Sequence, residues 1–99
     1  MNMQNLLAQA QKMQRDIQKK QEEINKNEYT GKNGWVTVLV NGKKEILNVK
    51  IENANLSDSE DIEAMEDMIK IAINDAFKQI DKDIESKLGA YAKGLNGLM

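Results

Sequence analysis

Lys12, Arg15 and Lys19 stand three and four residues apart in a Gln-rich stretch, and Lys20 follows directly. On a helix that spacing gathers the first three into a basic row along one side. Lys supplies a point charge and Arg a fork of donors, the two chemistries that contact the phosphates of a nucleic-acid backbone. Gln4, Gln9, Gln11, Gln14 and Gln18 add donors able to reach phosphates or base edges. The same residues also fit a solvated helix face on which Asp16, Glu22 and Glu23 serve as intrahelical partners. Lys78, Lys82, Lys87 and Lys93 form a weaker basic set, interleaved with Asp81, Asp83 and Glu85 at ordinary pairing spacing. Lys82 and Lys87 join the candidate surface only if a second copy brings their end of the chain beside the first row.

Other chemistries have less to work with. The 99 residues include no Cys and no His, which removes disulfides, thiolate metal sites, and the commonest general base and metal ligand. The Ser57–Ser59 cluster has no base to activate a nucleophile, so an enzyme would depend on carboxylates and Lys alone. The acidic run from Glu60 to Asp67 lacks the alternating oxygen ligands and Gly of a calcium loop. Neither a catalytic residue nor a metal, cofactor or small-molecule substrate is expected. The N-terminus lacks the pattern of a signal peptide, and no segment approaches the ~20 apolar residues of a membrane span. The chain therefore reads as cytoplasmic. Its net charge of −2 is unevenly spread: residues 1–50 hold nine Lys/Arg and five Asp/Glu, residues 51–99 five and eleven.

The elements that would position these residues follow from periodicity. Met3, Leu6, Ala10, Met13, Ile17 and Ile24 draw a narrow apolar stripe on a helix expected from about Asn5 to Lys26, with Asn2 as N-cap. The period then changes to two. In WVTVLV, Val36, Val38 and Val40 alternate with Trp35, Thr37 and Leu39, and Asn41-Gly42 signals a two-residue type I′ hairpin. That turn pairs Val40 with Lys43, Val38 with Glu45 and Val36 with Leu47. It places Val36, Val38, Val40, Leu47, Val49 and Ile51 on one face, and Trp35, Leu39 and Ile46 on the other. A third strand is expected at Glu28–Gly31, turning at Lys32-Asn33-Gly34, because an isolated hairpin is marginal.

Ser57 to Glu60 fits a capping box. Beyond it, Ile62 through Leu88 recur every three or four residues in a second helical region, continuous or broken near Met65–Met68, ending near Gly89. The whole chain, 1–99, reads as a single α+β domain, with 1–4 and 90–99 frayed. It comprises a long N-terminal helix, a three-stranded antiparallel sheet and a long C-terminal helical region. Both helices taper into sparsely apolar ends, and a homodimer with projecting helices would cover what one chain leaves bare. Met13, Ile17, Ile24, Trp35, Leu39 and Ile46 are the candidate packing and dimer residues.

NLLAQAQKMQRDIQKKQEEI resembles the opening helix of the YbaB/EbfC family of bacterial nucleoid-associated proteins. Thr30-Gly31, the VTVLVNG hairpin, VKIE, and MEDMIKIAINDAFKQI resemble that family's later blocks, in the same order, over roughly residues 5–88. The resemblance implies a small α+β homodimer with tweezer-like arms that binds double-stranded DNA and organises or regulates the chromosome in the nucleoid. The chain departs from the family in a shorter loop before Trp35, in Trp35 itself and in its acidic balance. An alternative remains at this point: a protein–protein adaptor that holds a partner helix along the Met3–Ile24 stripe.

Overall fold

A computed structural model describes residues 2–53 and 58–97, with side chains through Tyr91. Helix α1 spans Met3–Lys26, strands β1, β2 and β3 span Glu28–Asn33, Val36–Asn41 and Ile46–Ile51, and helix α2 spans Ser59–Gly97. The sheet is antiparallel in the order β1-β2-β3. Asn2 caps α1 as expected, its side-chain oxygen accepting from the Gln4 amide at 3.1 Å. The Ser57 capping box lies outside the described residues. Asp58 accepts from the amides of Glu60 and Ile62 at the start of α2. The second helical region is one unbroken helix, and it passes through Gly89 to Gly97. A mid-helix Gly costs only about 1 kcal/mol, too little to end a helix by itself.

The core forms where the end of α1 and the middle of α2 meet the sheet. Ile24, Val36, Val38, Val40, Ala72, Ala76 and Ile80 are fully buried, with Tyr29, Met65, Met68, Ile69, Ile73, Phe77, Ile84 and Leu88 packed around them. Ala72 and Ala76 let β1 lie directly on α2. A Cβ at Gly31 would run into the Ala72 carbonyl oxygen and crowd the Ala76 amide. Outside this core the helices project: the long axis measures 71 Å and the radius of gyration 19.9 Å. A compact chain of this length would have a radius of about 13 Å.

The hairpin forms, but with another turn and register. Val36 pairs with Ile51, Val38 with Val49 and Leu39 with Asn48; an irregularity then pairs Val40 with Ile46. Against the predicted Val36–Leu47 pairing this is a slip of four residues. An even slip preserves the faces, so Val49 and Ile51 still stand beside Val38 and Val36. Ile46, expected opposite Val40's face, is instead Val40's partner. The connection is a longer loop held by Asn41, whose side-chain oxygen accepts from the Lys43 and Glu45 amides and whose own amide donates to the Glu45 carbonyl. Positive φ falls on Lys44, at 63°, and not on Gly42. Gly42 is required for packing: a Cβ there would collide with the Ile24 carbonyl.

Burial of the predicted core face is also only partial. Leu47, Val49 and Ile51 are 48%, 41% and 38% exposed, because α2 lies across β1 and β2 and does not reach β3.

Polar contacts tie the sheet to α2: Gln79 Nε2 donates to the Thr30 carbonyl at 2.8 Å, and a second bridge runs through Tyr29. The Tyr29 hydroxyl donates to the Asp83 carboxylate, which also receives Lys87 Nζ at 3.4 Å. The tyrosine hydroxyl holds the Asp83 carboxyl below its usual pKa, against the opposing effect of burial, with Lys87 adding to the lowering. Burial, then the carboxylate, raises the Tyr29 pKa. Stability from the lowered carboxyl is full above its unfolded pKa near 4 and is lost as pH falls through the folded value. Stability from the raised phenol is full below about pH 10 and is lost as pH rises through its folded value. Tyr29→Phe is expected to lower unfolding free energy by about 1 kcal/mol at pH 7. In urea melts the gap to the unsubstituted protein should narrow as pH falls toward 3.

Candidate nucleic-acid interface

Helical geometry sets the basic row against the core. Met13, Ile17 and Ile24 mark the side of α1 turned to the rest of the molecule; the first two are half-buried and the third fully buried. Lys12, Arg15 and Lys19 lie about 150° around the helix from that side. All three are exposed, and none makes an ion pair among the described residues. The intrahelical pairing with Asp16, Glu22 and Glu23 that the sequence allowed does not form. Gln11, Gln14, Arg15 and Gln18 line a shallow concavity beside the row.

Three other sequence candidates are placed differently. Lys20 turns about 100° from Lys19, and its ammonium sits 5.3 Å from the centre of the Tyr91 ring on α2. Lys87 is engaged by Asp83. Lys82 is exposed on α2 and makes no ion pair among the described residues. Trp35 and Leu39 are half-buried, and Ile46, 48% exposed, is the more open apolar side chain of the three.

The structure adds Lys26 to the row. It falls within the same angular band, about 21 Å along the axis from Lys12. With Lys43 from the β2–β3 loop it lines a concavity that Glu22, Asn25 and Glu28 share. The seven-residue step from Lys19 was a signal for Lys26. Lys43 had none, because its position depends on the loop. The 24-residue α1 is about 36 Å long, close to one turn of B-form DNA. A helix with cations on one side that make no ion pair among the described residues, and with its apolar side shielded from Met13 to Ile24, suits contact with a regularly charged polymer.

The model of the YbaB/EbfC DNA-binding family matches residues 1–95. The chain belongs to this family. A nucleoid-associated protein of Lactococcus lactis subsp. cremoris strain MG1363 is 43% identical, covering 96% of this chain and 97% of its own. A nucleoid-associated protein of Clostridium novyi is 42% identical, over 97% and 85%. Among solved structures, an uncharacterized protein of Helicobacter pylori superposes with a TM-score of 0.68 at 25% identity, over 100% of this chain and 99% of that one. The α-β-β-β-α order is thus a YbaB/EbfC fold, and its long helices run well beyond the shared core.

Proposed function

We propose that this YbaB/EbfC protein is a homodimeric nucleoid-associated protein that binds duplex DNA chiefly through phosphate contacts. It would thereby act in chromosome organisation or regulation. The carrying observation is the exposed row of Lys12, Arg15 and Lys19, unpaired and turned away from the core, in a member of a DNA-binding family. The names of its relatives agree with a location at the nucleoid. Lys26 extends the row, and Lys82 supports it from α2 if the two copies are arranged suitably. The acidic net charge does not oppose this reading. At physiological salt, fields are screened beyond about 8 Å, so the local row outweighs the distant acidic segment.

For the dimer, β3 is the best-supported surface. Leu47, Val49 and Ile51 extend the buried face of Val36, Val38 and Val40 past the edge of α2. Apolar side chains on an uncovered edge strand invite a partner. A second copy offering the same strand would cover both at once. Val49→Asp is therefore expected to halve the mass seen by light scattering while leaving helical circular dichroism in place. A mass unchanged by this substitution would place the dimer contact elsewhere.

The function is tested by binding to several unrelated duplexes across salt concentration. Multiple phosphate contacts should weaken binding by orders of magnitude between ~50 and ~200 mM salt, with little difference among sequences. Affinity indifferent to salt would instead favour a hydrophobic adaptor.

A further inference from the structure

The apolar stripe of α1 is longer than the surface that covers it. It is shielded from Met13 to Ile24 but continues bare through Ala10, Leu6 and Met3. Leu7 widens it, and Met3, Leu6, Leu7 and Ala10 line one shallow apolar concavity with Gln4. Met3 is 83% exposed and Leu7 62%. No charged side chain occurs before Lys12.

We propose that this tip is a weak self-association contact, occupied by the same tip of another copy, which links separately bound molecules. Charge selects the occupant. The side chains lining the patch carry no charge, so they form no ion pair with a phosphate or a charged peptide. An identical patch meets it without repulsion, with Gln and Asn around the rim to hydrogen-bond across. Two such helix ends pack about a two-fold axis, the usual symmetry of self-complementary contacts. Size sets the strength. Five residues on about two turns of helix fall well below the ~800 Å² per partner of a stable interface. The contact therefore forms appreciably only at high concentration, or where many copies are held together, as on one DNA. Its role on DNA rests on the proposed DNA binding; the contact itself does not.

The test uses the intact chain and Leu6→Gln/Leu7→Gln. Both positions are exposed and Gln is a good helix former, so the fold should persist. In sedimentation without DNA, the unsubstituted protein should grow in mean mass as its concentration approaches ~1 mM, and added salt should not suppress this apolar contact. The double variant should stay at its low-concentration mass. On DNA, a tethered duplex loaded with protein should capture a second, labelled duplex. The variant should capture at least about tenfold less while its affinity for a single short duplex stays within about twofold, since only the multivalent link is lost. Equal self-association by the variant would overturn the proposal. Binding of phosphatidylcholine vesicles by the unsubstituted protein, without growth in mass, would assign the tip to a bilayer and overturn it equally. Failure to bind any short duplex would count against the DNA-binding reading alone, leaving sedimentation to decide the tip.

Discussion

Replacing Lys12, Arg15 and Lys19 together with Ala is expected to abolish retention of duplex DNA in a gel shift, with fold and dimer intact. The magnitude follows from counterion release. At ~150 mM salt each phosphate contact contributes about fivefold to affinity, so losing three costs at least about a hundredfold. The loss grows if both copies lay their rows on the duplex. Stability should hardly change, because the three side chains are exposed and make no ion pair among the described residues. Ala is also the best helix former. Loss of the dimer in this variant would make the row structural. Reversing Lys20 or Lys87 should behave differently, since each has a partner within the chain, the Tyr91 ring and Asp83.

Gly31→Ala is expected to be the most damaging single methyl group that can be added to the sheet. The new Cβ would meet backbone on three counts: the Ala72 carbonyl oxygen, its carbon, and the Ala76 amide nitrogen. Neither a strand paired along its length nor the middle of a 39-residue helix can move aside locally. Overpacking a core that can relax costs typically 1–3 kcal/mol, and about 3 kcal/mol or more is expected where only backbone could yield. That is a large share of the 5–15 kcal/mol holding a small domain together. The variant should melt many degrees lower by circular dichroism, if it accumulates folded. A melting temperature unchanged by the substitution would mean that β1 sits farther from α2.

These effects differ in how visible they are in the sequence. The basic row could be read from spacing alone, since residues three and four apart share a helix side wherever the helix lies. Its opposition to the apolar stripe follows from the same geometry. The faces of β2 and β3 were legible because alternation survives an even slip of register. The register was not. Asn41-Gly42 matches the type I′ signature, yet Gly42 answers to the Ile24 carbonyl at the end of α1, a contact no local pattern reports. Alternation in β3 also tells which side chains want cover, not whether this chain provides it. The uncovered Leu47, Val49 and Ile51 emerged only once α2 was placed. The Asp83–Lys87 pair was legible from its four-residue spacing; what the sequence did not show is that Tyr29, 54 residues away, also holds Asp83.

The most direct test of phosphate binding along α1 is the slope of log affinity against log salt, for the unsubstituted protein and the Lys12, Arg15 and Lys19 variant on the same duplex. Each cation that leaves the DNA should flatten the slope by about 0.9. The variant is expected to be shallower by about 2.7 for one row in contact, and by about twice that for two. Equal slopes would contradict the assignment, placing the phosphate contacts on some other surface of the molecule.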